Sequence, residues 1–147
     1  MSGPGCLVCH QHAAPPPGGL LGDDPLTVTY HRPPPPGADV YAGHLRVTSR
    51  RHAADLAALD PDEAAAVGRS ASRWARALRA AGAVRVYSAT VGHGADHLHV
   101  HLLPRWPGTP DDVPWHAVDD DPGGCRLDAA GVADLVGRLR ASERGEG

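Results

Sequence analysis

The most constraining feature of the chain is the alternation His97-Leu98-His99-Val100-His101-Leu102-Leu103. In a β-strand, successive side chains point to opposite faces. Extended in this way, the stretch places His97, His99 and His101 on one face and Leu98, Val100 and Leu102 on the other. A helix would scatter the three imidazoles around its axis. One side of such a strand joins a core while the other presents its imidazoles together. That arrangement suits a metal, a phosphate or proton transfer. A solvated His-rich strand is the competing reading, and the unbroken apolar face argues against it. Pro104 has no N–H to give a ladder and is expected to end the strand.

The chain has 147 residues, enough for one domain with its own core spanning 1–147. Its hydrophobic fraction is 41%, much of it Ala. There is no Phe, Lys, Ile or Asn, and all 14 basic residues are Arg. Together with 18 Gly and 15 Pro this resembles the coding bias of a GC-rich genome. The arginine content therefore carries little functional weight. A net charge of −3 argues against a nucleic-acid partner. The run Leu20-Leu21 is too short for a signal sequence or a membrane span, so a soluble cytoplasmic protein without a membrane partner is expected. Of three cysteines, two form Cys6-Leu7-Val8-Cys9. This spacing fits a metal pair or a redox pair in a reducing compartment.

Taken in order, the chain reads as follows. Ala13 to Gly19 is a Pro/Gly-rich loop, and Leu26 to His31 is a first strand. Pro33 to Pro36 is a stiff extended connector. Val40 to Arg50 reads as one strand containing His44, with His52 at its exit before a helical turn over Asp55 to Leu59. Asp60-Pro61-Asp62-Glu63 is a helix start: an Asp cap, Pro at the first position and Glu at the third. The helix should reach about Ala81 and stop at Gly82. Val67, Ala71, Trp74 and Leu78 form its core face, with Arg69, Arg73, Arg76 and Arg79 solvated opposite. Ala83 to Val91 is the next strand. Gly92-His93-Gly94 links it sharply to the His strand, which requires an antiparallel pair. Beyond Trp106 the chain is irregular until a final helix over Leu127 to Leu139.

These blocks together resemble the histidine-triad (HIT) superfamily. The likeness rests on His97-x-His99-x-His101, on Pro104-Arg105-Trp106 and Pro107-Gly108-Thr109-Pro110, and on Gly43 to Val47 running into Arg51 to Leu56. It runs from Cys6 to about Thr109, and Cys6-x-x-Cys9 is similar to the amino terminus of zinc-bearing bacterial members. The implied fold is α+β: an antiparallel sheet of about five strands, one long helix and a C-terminal helix. A zinc clamp covers about 6–12, and about 107–147 is a C-terminal extension. A homodimer is implied, as is a nucleotide substrate.

The resemblance also implies roles. Members hydrolyse or transfer nucleoside monophosphates from dinucleoside polyphosphates or nucleoside phosphoramidates. The middle histidine attacks the α-phosphate, which here is His99, giving a nucleotidyl-histidine intermediate. His101 would contact the phosphate and protonate the leaving group, and His44 would support that network. Gly92, His93 and Gly94 stand where the phosphate is met: the glycines admit close backbone approach, and His93 replaces a lost donor or is a solvated loop residue. A structural zinc would be held by Cys6, Cys9, His52 and His97. His10, His12, His116 and Cys125 are expected to be bystanders.

Departures from the family pattern are also legible. The only Gln is Gln11, and His31 and Arg32 stand where a ribose-binding acid is usual, with Asp39 as a weak substitute. Three other readings stay open at this point: a nucleotide sensor with little catalysis, a metalloenzyme using all three triad histidines, and a HIT-like scaffold serving a specialised biosynthetic reaction.

Overall fold

A computed structural model describes residues 5–145. Its centre is a five-stranded antiparallel sheet made of β1 (Gly22–Asp23), β2 (Thr27–His31), β4 (Leu45–Ser49), β5 (Arg85–Ala89) and β6 (His99–Arg105), in the order β1-β2-β4-β6-β5. A separate two-stranded ribbon pairs β3 (Val40–Tyr41) with β7 (Arg126–Leu127). The helices are α1 (Leu7–Ala13), α2 (Pro61–Ala80) and α3 (Ala129–Glu143). The fold is α+β, as the sequence predicts.

The alternation around His99 divides the molecule into layers. Leu98, Val100 and Leu102 join one core with Leu45 and Val47 of β4, Val67, Trp74 and Leu78 of α2, and Val132, Leu135, Val136 and Leu139 of α3. Burying each large side chain contributes roughly 1.5–3 kcal/mol. The opposite sheet face carries the histidines. It is covered by α1 at one end and by a 3-10 segment, Trp115–Asp120, at the other.

The helix start at Asp60 folds as its residue types require. The Asp60 side chain accepts from Glu63 N at 2.8 Å, and the Glu63 carboxylate accepts from Asp60 N at 3.0 Å. Glu63 also accepts the fork of Arg51, at 2.8 and 2.7 Å, which holds its carboxyl down at about 2. Arg73 differs from the expected solvated row: its Nε donates to Glu143 Oε1 at 2.6 Å and ties α2 to α3.

Several boundaries differ from the sequence reading, each for a physical reason. The expected strand from Val40 to Arg50 is broken after Tyr41. Gly43 takes φ +83°, and a Cβ there would meet Pro104 Cγ at 2.7 Å. Only the second half, β4, enters the main sheet, and His44 lies just before it. Pro104 does not end β6. Its neighbour β4 stops opposite Leu102, while β5 continues to pair as far as Arg105. No ladder bond is needed from its nitrogen on the vacated side, where its carbonyl accepts from Tyr41 Oη at 2.7 Å. His97 and Leu98 precede the strand, and Leu98 N donates to Ala53 O at 2.7 Å. Leu127 pairs in β7 rather than opening the last helix, which starts from an Asp128 cap on Gly131 N. The segment at Cys6 is a short helix, and Trp115–Asp120 is a 3-10 turn.

Candidate active site and metal centre

Strand register builds the histidine face. Thr48 stands opposite His99, Arg46 opposite His101, and Tyr30 opposite Arg46. The hydrogen bonds then fix ring states one by one. His99 Nδ1 lies 2.7 Å from the His97 carbonyl, which only accepts, so Nδ1 carries the proton. His99 Nε2 is left with its lone pair. His101 Nδ1 lies 2.9 Å from His44 Nε2, one donating to the other. The His99 and His101 rings meet edge-on, with centroids 4.9 Å apart.

Burial keeps His44 and His101 neutral. Desolvation, followed by the His101 ring, pushes His44 down to about 2. His101 falls to about 4 through desolvation, then His99, Arg46 and Arg32. A neutral imidazole is the form that can act as a nucleophile or accept a proton.

A second cluster adjoins the first. One ligand atom each from Cys6, Cys9, His52 and His97 lies within 4.8 Å of the others. His97 Nδ1 is 3.5 Å from Cys6 Sγ and 3.4 Å from Cys9 Sγ, and His52 Nδ1 is 3.5 Å from Cys9 Sγ. A tetrahedral zinc with ordinary bond lengths separates its sulfur and nitrogen ligands by roughly 3.5 Å. The spacing therefore fits a Cys2His2 centre. His97 Nε2 donates to Ser49 O at 2.7 Å, which leaves Nδ1 bare toward the cysteines. The group can hold a metal ion, and neither His99 nor His101 belongs to it. One metal on all three triad histidines does not match this arrangement, since both ring nitrogens of His97 are engaged elsewhere, Nε2 by Ser49 O and Nδ1 toward the two cysteines.

The remaining expected residues fall in different places. Gly92, His93 and Gly94 are exposed on the β5–β6 connection. Gly92 takes φ +68°, and a Cβ on either glycine would meet nothing within 4 Å. His93 forms no hydrogen bond among the described residues. Asp39 is engaged by Arg126 Nε at 2.7 Å. His31 is wholly buried and structural: Nδ1 donates to Arg32 O at 2.7 Å, and Nε2 accepts from Gly43 N at 2.9 Å. His10, His116 and Cys125 are exposed. His12 corrects the bystander reading. Its Nε2 bonds Thr48 Oγ1 at 2.8 Å, its ring lies 5.4 Å from that of His97, and burial lowers it to about 4.

Two residues of this face carried no sequence signal as site residues. Arg46 sits across from His101, and its buried Nε has no hydrogen-bond partner. Asp119 comes from the 3-10 segment, with Oδ2 at 3.6 Å from His44 Nδ1. The strand period could have placed Arg46 on the face of His44. Nothing local marks Asp119.

Comparison with known proteins agrees with this fold. A zinc-bound histidine triad family protein from Mycobacterium smegmatis aligns at TM-score 0.71 and 21% identity, covering 97% of this chain and 98% of that one. A hypothetical histidine triad nucleotide-binding protein from Sulfolobus tokodaii aligns at TM-score 0.72 and 20% identity, over 95% and 93%. A histidine triad protein from Bradyrhizobium japonicum aligns at TM-score 0.61 and 25% identity, over 82% and 87%. No curated protein matches the chain. The family model described as the HIT domain matches residues 20–108, more than half of the sequence. The chain belongs to the HIT domain family.

Proposed function

We propose that the protein is a hydrolase or nucleotidyl transferase acting on the α-phosphate of a dinucleoside polyphosphate or nucleoside phosphoramidate, with His99 as the nucleophile. The observation that carries this reading is the His99 ring state. Its Nδ1 proton is held by the His97 carbonyl at 2.7 Å, which leaves Nε2 bare on a ring that meets His101 edge-on.

The steps follow from the residues. His99 Nε2 attacks the phosphorus, and the bond to the leaving group breaks. The leaving atom takes a proton from His101 Nε2, which the arriving phosphate charge helps to protonate. Water then attacks the phosphorus of the nucleotidyl-histidine intermediate. Its proton returns to His101 as the bond to His99 breaks. Proton transfer of this kind contributes about 10²–10⁴-fold. Arg46 and Arg32 supply positive charge near the phosphate. Gly92 and Gly94 leave room for backbone approach, with His93 as a candidate donor.

Cys6, Cys9, His52 and His97 would hold a structural zinc that ties α1 to the start of β6. Support comes from the donor set and spacing, and from the zinc-bound relative of the same fold. The reading also carries one domain over 1–147, a homodimer and a cytoplasmic setting. No helix among the described residues is long and apolar enough to cross a membrane.

The test is turnover of a nucleoside phosphoramidate and a dinucleoside polyphosphate by the wild type and by His99→Ala. Wild-type turnover that vanishes in a variant with an unchanged melting temperature is the expected result. Equal rates would sink the proposal. A nucleotide sensor is the second reading, favoured by the exposed and unbonded His93 at the phosphate loop. It predicts tight nucleoside monophosphate binding by both proteins and no turnover by either.

A further inference from the structure

The proposed chemistry reaches His44 only through His101, and one buried nitrogen stays unexplained. His44 is 4% exposed, and its Nδ1 makes no hydrogen bond. Facing it at 3.6 Å is Asp119 Oδ2. Asp119 is set there by its neighbour Val118, fully buried with Tyr41 and Leu103 on the histidine face. Its backbone carbonyl accepts from Arg126 Nη1 at 3.0 Å, and Arg32 lies 4.0 Å from its carboxylate. Asp119 lies outside residues 20–108, the part matched by the HIT domain.

We propose that Asp119 is a positioning residue, the outer member of an Asp119–His44–His101 relay that holds a proton on His44 Nδ1 and shares the charge formed when His101 Nε2 is protonated. The proposal rests on the reading of His99 and His101 as the reacting pair. A carboxylate only accepts, so the His44 nitrogen that faces it is the one that carries hydrogen. His44 Nε2 is then an acceptor, and His101 Nδ1 must donate to it across 2.9 Å. This leaves His101 Nε2 bare and directed away from the relay. When His101 Nε2 gains a proton, the positive charge is spread along two hydrogen bonds to a carboxylate. The same logic lets a buried Asp support the imidazolium of a Ser-His-Asp triad. Apo contacts of this kind are often loose and tighten when substrate binds.

Other charges face the relay as well. His31, Arg32 and Arg46 press on His44; His99, Arg32 and Arg46 press on His101. Burial, and then Asp120, push the Asp119 carboxyl above its ordinary value, while its own backbone, Arg32 and Arg126 hold it down. Asp119 offsets an otherwise cationic surround.

The experiment uses the full-length, metal-loaded protein with Asp119→Asn and Asp119→Leu. Imidazole ¹⁵N NMR at neutral pH reads the His44 tautomer, and kcat is followed against pH on a nucleoside phosphoramidate. The wild type should carry its His44 proton on Nδ1, and Asp119→Leu should move that population to Nε2. In both variants kcat should fall roughly tenfold or more with KM little changed, and the alkaline limb of the profile, where His101 loses the proton it donates, should shift to lower pH. Asp119→Glu should restore part of the loss. Should Asp119→Leu melt early, Asp119→Asn, the near-isosteric change, carries the kinetic comparison. An unchanged tautomer in Asp119→Leu together with an unmoved pH profile overturns the relay, even if stability drops. The tautomer arm reads Asp119 whether or not any substrate turns over, so failure of the proposed activity and failure of the relay give separate results.

Discussion

His97 and His99 are joined through a single hydrogen bond, from His99 Nδ1 to the His97 carbonyl at 2.7 Å. His97 therefore faces two ways. Its ring nitrogen meets the cysteines, and its backbone sets the ring state of the proposed nucleophile. A metal held by His97 would stiffen the acceptor that orients His99. Cys6→Ser is expected to lose bound zinc, measured by elemental analysis of the purified protein. Its turnover should fall about 10–100-fold, the usual cost of disturbing a supporting contact. His99→Ala should keep its zinc. Zinc loss in His99→Ala with retention in Cys6→Ser would place the metal elsewhere.

Stability should depend on pH through His31. This ring is fully buried, and desolvation pulls it from 6.5 to about 4. The unfolded chain therefore binds the extra proton first as pH falls. The stabilising contribution is complete above about pH 6.5 and declines as pH drops toward about 4, by roughly 3 kcal/mol in all. Protonation would also remove the Nε2 lone pair that Gly43 N uses. Denaturant melts of wild type and His31→Gln across this window should show a shallower acid slope in the variant. Parallel slopes would contradict the assignment.

Gly43→Ala should be strongly destabilising. The residue has φ +83°, and a Cβ would meet Pro104 Cγ at 2.7 Å and Trp106 Cζ2 at 3.0 Å. The left-handed backbone alone costs about 1–2 kcal/mol, and overpacking adds about 1–3 more. His44 follows directly, so the variant should also lose activity in proportion to misplacement of the His44–His101 pair. Chemical denaturation checks the first part; a variant as stable as wild type would refute it.

What the sequence revealed is uneven, for physical reasons. The His97–Leu102 alternation and the Asp60–Glu63 cap are local signals, so the histidine face and α2 could be read directly. The break at Gly43 was hidden because Val40, Tyr41, Leu45 and Val47 all favour strands, while the obstruction comes from Pro104 and Trp106, distant in sequence. Helix α1 is only seven residues long, with too few turns to show a period. The ligand quartet is legible only through family likeness; the short cysteine spacing on its own leaves a redox pair open. Asp119 lies in an acidic run that reads as solvated. Only the docking of Val118 beside Tyr41 and Leu103 brings it to His44.

The proposed chemistry turns on a covalent intermediate on His99. Rapid quenching of the protein during turnover of a nucleoside phosphoramidate, followed by peptide mass spectrometry under conditions that spare acid-labile phosphoramidates, tests it most directly. A nucleoside monophosphate adduct is expected on His99 in the wild type and none in His99→Ala. An adduct on His97 or His101, or turnover without any adduct and with full activity in His99→Ala, would contradict it.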